Sequence, residues 1–264
     1  MTTFKALESS KDEDQNTLSI IEKNIDDLPD GDILIKVSYS SLNYKDALSA
    51  SGSPGVTKNY PHTPGIDAVG HVQESSDSAF KEGDVVIVTG YDLGMNTAGG
   101  FGQYIRVPAH WAIKLPNGLN EVEAMSLGTA GLTAGLSIQA LEKYSSTIGF
   151  EGSKSIVTGS TGKNTQKSFL EDLGATEVIS REELSEMTRL PMGKPIWDLC
   201  VDVVSGNTLS LLLSSLKPGG AVACSGLVGG PSFESSIFPF ILRGNALLGI
   251  DSVEIPLSQK EAVW

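Results

Sequence analysis

Basic side chains are scarce in this chain. Nineteen lysines and arginines face 32 aspartates and glutamates, for a formal net charge of −13. Such a surface repels a phosphate backbone, so nucleic acid is excluded as a partner, while a local basic cleft for a small anion stays open. Cysteine is scarcer still. Cys200 and Cys224 are the only two, and both sit in apolar strand-like runs, DLCVDVV and AVACSGL. They read as buried, reduced thiols, with no disulfide framework. There are three histidines, His62, His71 and His110, and no C-x-x-C spacing. A closed zinc site needs four nitrogen, sulfur or oxygen ligands at suitable spacing, so no metal is expected, and the histidines read as surface or hydrogen-bonded loop residues. No apolar run reaches the ~18 residues of a membrane span. The opening MTTFKALESSKDEDQ has no apolar leader segment, which makes cytoplasm the expected compartment.

What is present is a core-forming composition: 264 residues, 40% hydrophobic and 19% charged. Disorder is excluded on that balance. Residues 1–120 are rich in short strand-like runs (DILIKVSYSSL, VVIVTGY, FGQYIRVP, AIKLP) separated by Gly, Pro, Asn and Asp turns. That pattern predicts a barrel or sandwich. From 121 to 250 the period changes. A helical stretch with small residues, NEVEAMSLGTAGLTAGLSIQALEKY, is followed by strands (SIVTG, TEVIS, LCVDVV, AVACSGL, ALLGID) alternating with helices (TQKSFLEDLG, NTLSLLLSSLK). Alternation of this kind predicts a doubly wound parallel sheet, so the fold class is α/β with a β-rich domain in front. The last residues, 251–264, begin an amphipathic helix, cut short at QKEAVW with its apolar face just begun.

The stretch SIVTGSTGKNTQKSFLEDLGATEVIS, 155–180, reads strand, glycine turn, helix, strand. A dinucleotide fingerprint there requires G-x-G-x-x-G, yet only Gly159 and Gly162 are in place. A lone G-x-x-G is a weak signal. It still makes Gly159, Ser160, Thr161 and Gly162 candidates for a phosphate loop, since glycine lets backbone N–H groups approach an anion at a helix N-terminus.

Five segments occur in order: SSLNYKDAL (40–48), PGIDAVG (64–70), GTAGLTA (128–134), LGATEVISRE (173–182) and FPFILRGNALLGIDSV (238–253). Together they resemble the medium-chain dehydrogenase/reductase superfamily, in its zinc-independent branch of acrylyl-CoA reductases and quinone oxidoreductase-like proteins. The resemblance runs over nearly the whole chain. It implies a GroES-like catalytic domain at 1–120, a Rossmann NADP-binding domain at 121–250, the start of a return to the first domain at 251–264, and a homodimer. Measured against that family, about one helix and one strand, roughly 15–25 residues on typical element lengths, are expected to be absent around VTGSTG. The first part of the quoted stretch then abuts the next helix along. Zinc members carry a His-Glu pair where Ile66 and Asp67 stand here.

The resemblance also implies roles. Tyr44 lies near the nicotinamide and contacts the cofactor or helps deliver a proton. Asn43 orients a substrate carbonyl. Lys45 and Asp46 pair at the surface. Lys163 and Arg181 meet the 2′-phosphate of NADPH, with no acidic residue at the place of Lys163 to favour NAD. Leu227, Ile241 and Ser252 are further cofactor contacts, while Arg243 caps a helix. Without a metal, reduction of a conjugated C=C is the easier chemistry, because hydride goes to the β-carbon and hydrogen-bond donors stabilise the enolate. The expected substrate is therefore an enone or acyl-CoA such as acrylyl-CoA. A quinone acceptor, or an NADPH-binding protein without catalysis, are the alternatives.

Overall fold

A computed structural model describes residues 2–12, 15–148, 158–161, 163–186 and 191–264. The chain divides into two compact units, 1–134 with 251–264, and 135–250.

The first unit is built on antiparallel strands. β1 (Thr3–Asp12) and β2 (Gln15–Asn24) form a hairpin pairing Thr3 with Asn24 and Asp12 with Gln15. β3 (Ile33–Tyr39) is followed by the short helix α1 (Tyr44–Ala50). Then come β4 (Asp67–Ser75), β5 (Val85–Thr89), β6 (Tyr104–Val107) and β7 (Ala112–Lys114). The five make one sheet in the order β6-β3-β4-β5-β7. The two-residue period of a strand explains how ILI in β3 serves two cores. Ile33 and Ile35 pack with Val72, Val86, Val88 and Ile105, while Leu34 turns to Phe4 and Ala6 of the hairpin.

Helix α2 (Glu121–Thr147) contains one non-helical residue, Gly128, at φ 51°, ψ −155°. A Cβ there would lie 2.6 Å from Ser41 Oγ and 2.7 Å from Asp67 Oδ2, so both the dihedral and the crowding demand glycine. The helix belongs to the first unit as far as Ala134 and to the second from Gly135.

The second unit is parallel. β8 (Thr158–Thr161) precedes α3 (Lys167–Asp172), β9 (Glu177–Ser180), α4 (Arg181–Glu186), β10 (Trp197–Asp202), α5 (Gly206–Ser215), β11 (Leu216–Cys224), α6 (Phe238–Arg243) and β12 (Ala246–Gly249). β8 pairs only with β9, and β10-β11-β12 form a separate three-stranded sheet. Among the described residues no strand joins β8 to β10. The face of the three-stranded sheet carrying Ala221, Ala223 and Leu248 is covered by Leu141 and Tyr144 of α2, and the opposite face by Leu209 and Leu213 of α5. Leu199, Val201 and Val203 are 37%, 45% and 55% exposed, although strands of a parallel sheet are normally buried on both faces.

The last element, α7 (Leu257–Glu261), lies in the first unit. Among the described residues no helix is long and apolar enough to cross a membrane.

Candidate active site and nucleotide-binding residues

In the first unit the site is organised around a buried carboxylate. Asp67 opens β4 with its side chain fully enclosed, at 0% exposure. Its Oδ2 accepts from Ser41 Oγ at 2.5 Å, Asn43 Nδ2 at 2.9 Å and the Thr129 N–H at 2.9 Å, and its Oδ1 accepts from Thr129 Oγ1 at 2.5 Å. Ser40 Oγ donates to the Asp67 carbonyl at 2.6 Å. One anion thus gathers the turn before α1 and the kink of α2 onto the edge of β4. Charge-assisted bonds of this kind are the stronger ones, and a buried carboxylate requires them.

Asn43 and Tyr44 sit on that turn. Asn43 is locked through its amide to Asp67, while Tyr44, the first residue of α1, is 81% exposed. The surface pair expected of Lys45 and Asp46 does not form. Asp46 is buried and accepts from the Asn43 N–H at 2.7 Å and the Ile66 N–H at 2.8 Å. A helix interior on one side and a strand end on the other draw this carboxylate inward. Burial pushes its pKa up, against the lowering effect of those two N–H groups. His62 is likewise no surface residue. It is buried, its backbone bridges Ser9, and burial holds its pKa down. Among the described residues no group of three His, Cys, Asp or Glu is placed to hold a metal ion.

Ser252 is nearly buried and stands 2.8 Å, hydroxyl to hydroxyl, from Thr133 on α2. Below it Lys260 is 0% exposed. Its Nζ donates to the Thr89 carbonyl at 2.8 Å and the Val253 carbonyl at 3.0 Å, and lies 3.4 Å from the centre of the Tyr91 ring. That ring stacks on Trp111 at 5.5 Å and 9°.

In the second unit β8 runs parallel to β9, and β11 runs parallel to both β10 and β12. A cavity of about 400 Å³ is lined by Ser160, Arg181, Leu184, Asp202, Val204 and Thr208, among others. Two of the expected nucleotide ligands, Ser160 and Arg181, therefore share a cavity, while Lys163 lies on an exposed turn just past β8. The phosphate-loop expectation is corrected in form. Gly159, Ser160 and Thr161 lie in β8, in register with Val178, Ile179 and Ser180, and not in a turn at a helix N-terminus. The nearest side chains to a Cβ on Gly159 would be Leu170 at 3.4 Å and Ala175 at 3.8 Å, ordinary contact distances that do not call for glycine. Gly162 lies outside the described residues. The loop after β11 does need its glycine: a Cβ on Gly226 would fall 1.9 Å from the Val203 carbonyl oxygen. This tight passage leads Leu227 out to solvent, where it is exposed, as is Ile241 on α6. Arg243 caps α5 as expected, giving Nη1 to the carbonyls of Ser214 and Leu216 and Nη2 to that of Gly193. Burial pushes the Cys200 thiol up to about 12, which disfavours the thiolate form.

Fit to a dinucleotide is therefore uneven. Arg181 and Ser160 bring a guanidinium and a hydroxyl into one cavity, donors of the kind a phosphate asks for. The pyrophosphate end has no G-x-G-x-x-G turn among the described residues.

Residues 29–117 match the alcohol dehydrogenase GroES-like domain family. The chain is 41% identical, over 285 aligned positions, to the Bacillus subtilis (strain 168) protein named "Putative quinone oxidoreductase YhfP", spanning 100% of this chain and 86% of that one. It is 38% identical to the acrylyl-CoA reductase AcuI of Ruegeria pomeroyi, over 99% of this chain and 86% of the relative. The crystal structure of the Bacillus protein with NAD bound superposes with a TM-score of 0.92 at 40% identity, covering 100% of this chain and 86% of the other. The yhdH oxidoreductase from Salmonella enterica in complex with NADP does so with 0.92 at 32% identity, covering 98% and 86%. The 285 aligned positions exceed the 264 residues of this chain by 21, so the Bacillus protein carries residues within the matched span that have no counterpart here.

Proposed function

Because the chain belongs to the medium-chain dehydrogenase/reductase family, in the branch of acrylyl-CoA reductases and quinone oxidoreductases, we propose that it is a reductase that uses NADPH to saturate the C=C bond of an α,β-unsaturated carbonyl such as acrylyl-CoA. The observation that carries this reading is the Asn43–Tyr44 turn mounted on buried Asp67. It offers a rigid hydrogen-bond donor and an accessible phenol. Those are the groups that enone reduction asks for when no Lewis acid polarises the carbonyl.

NADPH, when bound, supplies the hydride. The residues of the chain bind, orient and move the proton. Arg181, Ser160 and Lys163 hold the 2′-phosphate end, and a guanidinium suits a phosphate better than any acid would. Arg181 and Lys163, with no acidic residue at the place of Lys163, favour NADPH over NAD. Ser252, Leu227 and Ile241 serve the nicotinamide end. Asn43, with one amide hydrogen given to Asp67, turns the other to the substrate carbonyl and stabilises the enolate oxygen. Preorganisation by Asp67 means that no reorientation is needed as the charge develops. The Tyr44 hydroxyl then supplies the proton at the α-carbon. The enzyme acts as a cytoplasmic homodimer, which light scattering checks.

Steady-state oxidation of NADPH with acrylyl-CoA and, separately, with quinones tests the reading. Saturating turnover of acrylyl-CoA, reduced about 100-fold by N43A, is expected. Turnover of quinones alone would replace it with the second acceptor class. Tight NADPH binding with no turnover of either would leave a binding protein.

A further inference from the structure

The most unusual side chain outside the groups used above is Lys260. It is a lysine at 0% exposure, and its neighbours explain how the position tolerates one. Two carbonyl oxygens accept from Nζ: Thr89 at the end of β5 and Val253 in the 251–256 turn. The Tyr91 ring closes a third direction at 3.4 Å, which is a desolvated cation–π contact. Tyr91 is itself held on the same turn, its N–H donating to the Val253 carbonyl at 3.1 Å and its hydroxyl to the Ile255 carbonyl at 3.3 Å. Gly90 between them has φ 74°, and a Cβ there would come within 3.1 Å of Nζ. The backbone thus turns tightly around the ammonium.

What Lys260 ties together is specific. Thr89 pairs across β4–β5 with Asp67, the carboxylate that carries Asn43. Val253 follows Ser252, whose hydroxyl faces Thr133. A single Nζ therefore joins the strand end behind the catalytic turn to the turn that presents Ser252. We propose that Lys260 is a positioning residue that acts through Ser252, holding the 251–256 turn in the place where Ser252 meets the nicotinamide cofactor. This rests on the reductase reading for the identity of the cofactor, but the mechanical claim concerns the turn alone.

The groups facing the ammonium are Asp251 and Glu254 from the 251–256 turn, Asp67 from β4 and the Tyr91 ring from the loop after β5. Burial pushes its pKa down to about 8, partly opposed by Glu254, Asp251 and Asp67. Deprotonation removes the cation–π attraction and leaves only neutral N–H donors for two carbonyls.

The test uses the full chain with K260M, K260R, S252A and the double variant K260M/S252A. It reads the NADPH dissociation constant from nicotinamide fluorescence and hydrogen exchange across 251–256. K260M is expected to weaken NADPH roughly tenfold. K260R restores most of the loss, and the double variant binds no worse than S252A alone. In the wild type, affinity falls as pH rises through 8, and in K260R it does not. Unchanged affinity in K260M, or losses that add in the double variant, would overturn the proposal. Should K260M fail to fold, the wild-type and K260R pH profiles decide it. A wild type that binds no NADPH at any pH sinks the reductase reading instead. Lys260 is then judged on exchange, and a turn in K260M protected as well as in wild type would dismiss it.

Discussion

At the scale of single residues, Asp67 carries the most. Asp67→Ala leaves the Thr129 N–H and the Asn43 amide buried without their acceptor, so a loss of about 3 kcal/mol in urea unfolding is expected. Gly128→Ala forces a Cβ into Ser41 and Asp67 at a positive φ. It should cost at least ~1 kcal/mol and lower turnover together with stability, because the same crowding disturbs Asn43. Tyr44→Phe is a different case. With the ring 81% exposed, it should leave stability within ~0.5 kcal/mol while reducing turnover, a separation that unfolding and kinetics on the same sample reveal. Lys260 adds a pH signature. The native state releases its proton near pH 8 and the unfolded chain near the ordinary 10.5. Between those values the unfolded state holds more protons, so this group's contribution to stability rises with pH across that window and is flat below it. Thermal unfolding of wild type against K260M from pH 7 to 10 displays the difference.

At the scale of elements, β3, β5, β9 and β12 fall within the stretches the sequence announces as strands, while β10 starts two residues ahead of LCVDVV and ends two before its close. The turn after SIVTG was misjudged in form for a physical reason. Glycine signals backbone freedom without saying what uses it, and in TGST nothing does, because the segment pairs in register with β9. Asp67 stands in PGIDAVG, where the local sequence does not mark it as an anchor. Its signal was one acidic residue inside an apolar strand, which only a buried set of donors can explain. Lys260 gave no local signal, since its partners Thr89 and Tyr91 lie about 170 positions away in the chain. The row Leu199, Val201, Val203 has a consequence of its own. Among the described residues no strand pairs with the outer edge of β10, and these side chains line the cavity of Ser160 and Arg181; an apolar strand so placed binds hydrophobic dye and exchanges its amides. Strong 1-anilinonaphthalene-8-sulfonate fluorescence, lowered by V201K, and rapid exchange at β10 relative to β11 are expected. Protection of β10 equal to that of β11 would show that something in solution covers it.

At the scale of the whole molecule, composition and the order of motifs made the two-part architecture and the family legible before any coordinate. Contacts, not residue types, show where each side chain lies. The cofactor preference belongs to this scale because it sums charges from separate elements. Arg181→Ala with Lys163→Ala should weaken NADPH by about 100-fold and NADH hardly at all, since only the former carries the extra phosphate. Equal weakening of both would move these residues away from the 2′-position. The stack of Tyr91 on Trp111, with the Lys260 ammonium against the other ring, finally makes the protein its own optical gauge. A charge next to a π-stack shifts the energy of the indole excited state. Trp111 emission should therefore change colour with a midpoint near pH 8 and stay constant in K260M. The protonation state of an amine closed off from solvent is thus written into the light the molecule emits.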